Sequence, residues 1–425
     1  MSGPSHVVVV GASLAGLRAA EALRDEGYHG RLTLVGDERQ APYDRPPLSK
    51  QVLSGWVRPD QTFLPRMRPL AADWRLGAAA TRLDRAARRV TLADGSALPY
   101  DRLVIATGTR ARPWPIAAEA GLFGVHVLRT IDDAEGLVAA LAAKPRRVLV
   151  IGAGFTGSEV ASACCDRGLE VTVVELGPSP LAAALGPLVG GYAAELQRRA
   201  GVDLRCGTAV SALLDDGCDA VRGVRLADRQ EIAADVVVAC MGAQRNTEWL
   251  AGAGLSAGPA GVACDAGCRA LCEDGSSTDD IFVCGDVSLF HHPLAGERPI
   301  SLEHWGNAAH QAQVAAANLM HPGSMTTDGV LPAFWSMQFG ANFKSVGLPG
   351  CADEVLVVQG SIESGRFVAA YGRGGRMVGA IAVNQAQWLP FYEQQIEGAA
   401  SFPPGWRVVD QPAGATPSPA GFVLA

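Results

Sequence analysis

Val7-Val8-Val9-Val10-Gly11-Ala12-Ser13-Leu14-Ala15-Gly16 is the stretch on which the fold turns. Four β-branched apolar residues in succession suit a central parallel strand buried on both faces. The small residues after them let the chain turn at once into a helical pattern, Leu17 to Glu26. A second apolar strand, Arg31 to Val35, runs into Gly36-Asp37-Glu38. Strand, tight turn, helix, strand and acid together form a dinucleotide-binding unit. The turn closes on small residues, the helix N-terminus meets a pyrophosphate, and the acid accepts hydrogen bonds from ribose hydroxyls. Gly11, Ala15 and Gly16 serve the turn; Ser13 stands where the middle glycine is usual, so the close approach must accommodate a hydroxymethyl group.

The whole pattern recurs. Arg147 to Ile151 is an apolar strand, Gly152-Ala153-Gly154-Phe155-Thr156-Gly157 is the turn, Ser158 to Arg167 is a helix, and Glu170 to Val174 is a strand ending in Glu175. Two complete units imply two dinucleotides, because one cofactor needs only one. The Glu175 carboxylate suits a ribose 2′-hydroxyl and repels a 2′-phosphate, and no Lys or Arg occurs from Val171 through Ala194 to receive that phosphate. NADH is therefore expected over NADPH. The competing reading, that Glu175 is a solvated strand end and specificity is set elsewhere, stays open at this point.

A chain of 425 residues is too long for one core and fits two or three domains. With 48% hydrophobic and 19% charged residues and 50 glycines, it has the balance of an α/β enzyme rather than a disordered chain. A net charge of −7 gives no basic field for nucleic acid or anionic membrane. One local exception runs from Gln51 to Val90, where eight arginines stand against three aspartates. Such a run also reads as ordinary solvated surface. The N-terminus has no basic segment followed by an apolar stretch and a cleavage site, and no window resembles a membrane span, so a cytoplasmic protein is expected. The ten cysteines are scattered, none before Cys164. Cys264, Cys268 and Cys272 lack a fourth local ligand, and no metal is expected.

Several separated motifs carry a resemblance: Tyr43-Asp44-Arg45-Pro46-Pro47-Leu48-Ser49-Lys50, Ala106-Thr107-Gly108, Arg129-Thr130-Ile131-Asp132-Asp133-Ala134, the second glycine turn, Gly285-Asp286, Glu303-His304-Trp305 and Phe334-Trp335-Ser336. Over nearly its whole length the chain resembles the ferredoxin reductase family of FAD- and NAD-dependent oxidoreductases. The resemblance implies that the first unit binds FAD and the second NADH. It assigns Asp286 to the ribityl chain, Glu38 to the adenosine ribose, and Arg45, Pro47, Lys50, Ala106, Thr107, Gly108, Arg129, His304 and Trp305 to the FAD site. Gly152, Gly154, Phe155, Thr156, Gly157, Glu175 and Gly242 go to NAD. Lys50 and Glu159 are implied to pair nearest the chemistry; an ordinary structural salt bridge is the alternative. A helix from Asn307 to Asn318 would point its positive end at the flavin. Two departures stand out: Gly242-Ala243-Gln244-Arg245-Asn246 where the family usually has Gly-x-x-Pro-Asn, and Met337 where an Asp is common.

Relatives of this architecture that reduce disulfides or peroxides place cysteine beside the flavin. Here that segment reads Pro46-Pro47-Leu48-Ser49-Lys50. Without a thiolate relay, single-electron delivery to an external carrier is the expected outcome. An acidic iron-sulfur ferredoxin is the expected partner, with Arg58, Arg66, Arg68, Arg75 and Lys344 as docking candidates. A redox-controlled NADH-sensing flavoprotein, and an NADH oxidase or diaphorase with no protein acceptor, remain as other readings. The expected fold class is α/β: two Rossmann-like dinucleotide-binding domains plus a C-terminal α+β interface domain. The FAD domain is expected at residues 1–113 and 245–325, the NAD domain at 114–244 and the interface domain at 326–425. Strands Val355 to Gln359, Phe367 to Tyr371 and Arg376 to Val383 and a helix Gln387 to Glu397 are expected in the last.

Overall fold

The computed structural model describes residues 4–327, 329–408 and 422–424. It divides into two compact units. The first comprises Met1–Asp44, Phe63–Arg110 and Gln244–Pro332, and the second Arg45–Thr62, Ala111–Ala243 and Ala333–Ala425.

In the first unit, β1 (His6–Val10) is buried along its whole length and pairs in parallel with β2 (Arg31–Val35) on one side and Arg102–Ile105 on the other. Complete burial explains why the strand is an unbroken valine run instead of an alternating one. The six-stranded sheet is ordered Arg269–Leu271, Ser277–Val283, Arg102–Ile105, β1, β2, Asp73–Arg75. Helix α1 (Leu14–Asp25) turns Leu17, Ala20 and Leu23 onto Val7 and Val9, and the helix Trp305–Met320 adds Ala315 and Leu319 to the same core. That strand at 277–283 pairs in parallel with Arg102–Ile105, which delivers the Gly285-Asp286 turn to the end of the sheet where α1 begins.

The second unit repeats the arrangement. Strand β3 (Arg147–Ile151), helix α2 (Phe155–Asp166) and strand β4 (Glu170–Glu175) belong to a parallel sheet ordered Asp203–Cys206, β4, β3, Val236–Ala239, Val125–His126. A five-stranded antiparallel sheet follows, ordered β5 (Ala333–Gln338), β6 (Ala341–Gly347), Arg376–Val383, Arg366–Arg373, Glu354–Ser361. The helix Leu389–Glu397 carries Tyr392, which is fully buried. The three expected strands of this sheet are present: Arg376–Val383 keeps its bounds, and the other two, Glu354–Ser361 and Arg366–Arg373, each run three residues longer.

The β5–β6 hairpin was not expected. Its turn is Phe339-Gly340, with φ of 48° and 73°. Two consecutive left-handed residues make a hairpin turn whose usual sequence sign is Asn-Gly. Phe339 conceals it, and its N–H is held at 2.8 Å by the Ser162 hydroxyl of α2. A second unforeseen element is the wide turn at Leu48–Val52, in which the Val52 N–H reaches back to the Pro47 carbonyl at 3.0 Å. Turns of this width are rare and concentrate at functional sites.

Candidate functional site

In the first unit the residues read as the FAD set come together around the end of β1. Gly11 has φ +120°, and a Cβ there would lie 2.0 Å from the Ala106 carbonyl oxygen, so only glycine fits. Ser13 has an extended backbone, and its hydroxyl does not cap α1. Its departure from glycine therefore costs the turn nothing in conformation. Gly285 packs against Ala15: a Cβ on it would come within 2.9 Å of the Ala15 methyl group. The Asp286 turn and the first glycine turn are thus neighbours.

Gln311, fully buried in the helix Trp305–Met320, holds that turn by accepting from the Gly285 N–H at 3.0 Å and the Ser288 hydroxyl at 2.8 Å. Thr107 donates to the Asn246 carbonyl at 2.8 Å and accepts from its side-chain amide at 2.9 Å, and the Asn246 N–H meets the Gly108 carbonyl. Glu38 accepts from the Tyr43 hydroxyl, and the Trp305 indole donates to Asp44 at 2.9 Å. Burial pushes the His304 imidazole below its ordinary range, with the Asp286 charge opposing. Arg245, the departure from the usual proline, donates to Glu303 at 3.0 Å, next to His304.

Arg45, Pro47, Lys50 and Arg129 fall in the second unit. Arg45 donates to the Arg129 carbonyl at 2.8 Å, and Thr130 and Asp133 form a reciprocal cap at the start of the helix Ile131–Ala142. The second glycine turn mirrors the first. A Cβ on Gly152 would lie 2.3 Å from the Cys240 carbonyl oxygen, and Gly154 starts α2, whose first turn holds Phe155 and Thr156. The Phe155 ring lies edge-on to Phe334, with centroids 4.9 Å apart. Gly242, with φ +85°, has open space where a Cβ would go. Glu175 accepts from the N–H of Ala153 at 2.5 Å and of Gly177 at 2.6 Å, which aims its carboxylate at the head of the turn.

Lys50 and Glu159 meet directly, Nζ to Oε2, at 2.8 Å. Both side chains are largely withdrawn from solvent, 15% and 5% exposed. The wide turn at Leu48–Val52 presents two successive side chains to one carboxylate, because Ser49 also donates to Glu159 Oε2 at 2.5 Å. The other oxygen, Oε1, accepts from the Ser336 hydroxyl of β5 at 2.5 Å. Ser49 and Ser336 lie inside quoted motifs but had no role in the sequence reading; Gln311 had no sequence signal. Cys206, opposite Glu175 in the strand register, feels the charges of both Glu175 and Arg198.

The docking candidates are divided between the two units. Arg58 lies in one unit and Arg66, Arg68 and Arg75 in the other. Arg58 is paired with Asp60, Arg68 with Asp25 and Arg75 with Asp73, while Arg66 stacks over the Trp74 ring at 4.8 Å. Local carboxylates thus offset three of the four charges. Lys344 is exposed and stands opposite Trp335 in the β5–β6 register.

Among the described residues, no group of three His, Cys, Asp or Glu could hold a metal ion, and no helix is long and apolar enough to cross a membrane. Burial pushes the Cys164 and Cys284 thiols up to about 12, so neither is a thiolate at neutral pH.

Residues 5–315 match the family model described as pyridine nucleotide-disulphide oxidoreductase, and residues 333–411 match one described as reductase C-terminal. The chain is 38% identical to the anthranilate 1,2-dioxygenase system ferredoxin-NAD(+) reductase component of Burkholderia cepacia, across 89% of this chain and 90% of that one. It is 35% identical to putidaredoxin reductase CamA of Pseudomonas putida, across 91% and 90%. Among solved structures, it is similar to the covalent putidaredoxin reductase-putidaredoxin complex, with TM-score 0.86, 33% identity and 94% of each chain covered.

Proposed function

Because the chain belongs to the pyridine nucleotide-disulphide oxidoreductase family, which uses FAD and NAD(H), we propose that it is an FAD-dependent NADH:ferredoxin oxidoreductase. The partner is a small iron-sulfur ferredoxin, in keeping with relatives named as the ferredoxin-NAD(+) reductase of a dioxygenase system and as putidaredoxin reductase, and we assign its electrons to a monooxygenase or a ring-hydroxylating dioxygenase. The observation that carries this reading is the pair of dinucleotide turns, each with its own acid, in a chain with no cysteine before Cys164. When bound, FAD supplies the link between a two-electron donor and a one-electron acceptor.

The residues present fit that group. Gly11 and Gly285 let the two turns close against the Ala106 carbonyl and the Ala15 methyl group, which brings them together at the start of α1, and Glu38 and Asp286 are acceptors suited to ribose and ribityl hydroxyls. Gly152, Gly154, Phe155, Thr156, Gly157 and Gly242 are assigned to NADH, with Glu175 on the adenosine ribose. Lys50 and Glu159 are assigned to orienting the nicotinamide and holding charge beside the acceptor ring. The ten free cysteines among the described residues fit a cytoplasmic, reducing compartment.

For docking, Lys344 beside the exposed Trp335 and Met337 is a better-supported candidate than Arg58, Arg68 and Arg75, whose charges are already offset. Charge reversal at Lys344 should slow ferredoxin reduction at low salt more than reversal at Arg75 does. Equal effects at the two positions would remove this preference.

The reading itself is tested by anaerobic NADH titration of the purified yellow protein, followed by cytochrome c reduction with and without an added ferredoxin. NADH should bleach the flavin stoichiometrically, and cytochrome c reduction should depend on ferredoxin. Oxygen consumption at the same rate without ferredoxin would make it an oxidase, and a long-lived reduced complex with slow turnover would make it a sensor.

Glu175→Ser should weaken NADH binding about 10- to 100-fold, since hydrogen bonds to a charged acceptor contribute about 1.5–3 kcal/mol. It should also narrow the NADH-over-NADPH preference, because the Ala153 and Gly177 N–H groups would then face a phosphate without a competing carboxylate. Steady-state kcat/KM for both nucleotides decides this; an unchanged ratio would take Glu175 out of the specificity site.

A further inference from the structure

Strand β5 is inverted with respect to the usual sheet pattern. Its polar residues Ser336 and Gln338 are 0% and 1% exposed, whereas Trp335 and Met337, which alternate with them, are 45% and 55% exposed. Burying a hydroxyl and an amide in place of available apolar side chains is unfavourable unless each has a partner. The hydroxyl and the amide nitrogen have partners that form a chain: the Gln338 Nε2 group donates to Ser336 Oγ at 3.2 Å, and Ser336 Oγ donates to Glu159 Oε1 at 2.5 Å, while Gln338 Oε1 is buried without a hydrogen-bond partner among the described residues. A serine hydroxyl carries one proton, so accepting from Gln338 commits that proton to Glu159.

The two carboxylate oxygens are then divided by function. Oε1 is engaged by Ser336 from the C-terminal sheet, and Oε2 by Ser49 and Lys50 from the wide turn. A carboxylate held at one oxygen only can rotate about its terminal torsion, which is broad and soft. Held at both, it fixes the ammonium of Lys50. The Phe339 N–H bond to Ser162 ties the end of β5 to α2, the helix that carries Glu159, so strand and carboxylate move as one piece.

We infer that Ser336, oriented by Gln338, is a positioning residue for the Lys50–Glu159 pair, through which the C-terminal domain sets the rate of hydride transfer from NADH. The inference rests on the function proposed above and assigns a new role within the same site. Ser336 acts through Glu159 and touches no reacting atom.

The test uses the holoenzyme and its Ser336→Ala and Ser336→Thr variants. Anaerobic stopped-flow reduction at saturating NADH should be about 10-fold slower in Ser336→Ala, the scale of effect expected when a reacting geometry loosens by a fraction of an ångström. NADH affinity and FAD content should stay close to wild type, Tm should fall by several degrees because Glu159 Oε1 loses a buried hydrogen bond, and Ser336→Thr, which keeps a hydroxyl, should recover most of the rate and of the Tm. A second readout is independent of turnover. Acetylation of Lys50 by acetic anhydride, quantified by peptide mass analysis, should be several-fold faster in Ser336→Ala and unchanged in Ser336→Thr. Should Ser336→Ala not yield folded protein, Ser336→Cys keeps the volume with a weak donor and is expected to behave as Ser336→Ala.

Wild-type rates of both reduction and Lys50 acetylation in Ser336→Ala would overturn the inference. So would equal impairment of the Ala and Thr variants together with a Tm lowered equally in both, which would mark a packing role. If wild-type protein is not reduced by NADH at all, the proposed function fails, while the acetylation rates still decide whether Ser336 holds the pair.

Discussion

Glu159→Leu should destabilise the second unit by about 3–5 kcal/mol and slow flavin reduction by NADH at least 100-fold, but only the first effect should be reversible by a second change. Removing the carboxylate leaves the Lys50 ammonium without its counter-charge, and the Ser49 and Ser336 hydroxyls without their acceptor, in a place nearly closed to water. Breaking a buried ion pair from one side costs about that much, because the remaining charge stays desolvated. For a unit of this size the loss corresponds to a fall in Tm of roughly 10 °C. Replacing both partners, Lys50→Met with Glu159→Leu, removes the stranded charge. The double variant should regain at least about 2 kcal/mol of the lost stability, since apolar replacements of whole buried pairs are often near neutral. Its reduction by NADH should nevertheless stay slow if the pair has its proposed role of orienting the nicotinamide and holding charge beside it. Chemical denaturation gives the first quantity and stopped-flow absorbance the second. A double variant reduced at the wild-type rate would leave Lys50 and Glu159 as a structural salt bridge.

The parts of this molecule that could be read from sequence are those whose geometry is local. Val7–Val10 followed by Gly11 is decided within ten residues, and so is its repeat at Arg147–Gly152, because a buried parallel strand and a tight turn demand particular residues in particular places. The pairing of Lys50 with Glu159 became visible only through resemblance, since nothing near either residue specifies a partner more than a hundred positions away. Ser336 was harder still. Its strand hides its polarity inside and shows Trp335 and Met337 outside, so alternation read in the ordinary sense points the wrong way round. The Phe339-Gly340 turn withholds the usual hairpin signal. The arginine run shows the same limit: net charge over a window counts Arg68 but not Asp25, the carboxylate that α1 brings to it. Arg245, a departure when set against the family pattern, acquires a partner in Glu303 that only the fold supplies.

Gly16→Ala and Gly157→Ala should give opposite phenotypes from the same chemical change. In each turn the last glycine lies where the helix crosses closest to its strand. A Cβ on Gly16 would lie 1.8 Å from the Gly11 carbonyl oxygen, and one on Gly157 would lie 1.9 Å from the Gly152 carbonyl oxygen. Neither obstacle is a flexible side chain, so the helix itself must back away from the turn. Its N-terminal N–H groups would then withdraw from the place where a pyrophosphate binds. The helices α1 and α2 belong to different compact units, and the clusters around Leu17 and Phe282 in one and Leu149 and Val237 in the other are separate cores. The damage should therefore stay where it is made. Gly16→Ala should be isolated colourless, since the helix N-terminus that would meet the FAD pyrophosphate has been pushed away from it. Gly157→Ala should remain yellow, with a normal flavin spectrum, while its Kd for NADH rises at least about 100-fold. Visible absorbance of the purified proteins and a NADH titration are sufficient to separate them. Two yellow proteins reduced equally well by NADH, or a colourless Gly157→Ala beside a yellow Gly16→Ala, would break the assignment of one dinucleotide to each turn, on which every other residue role in the molecule has been built.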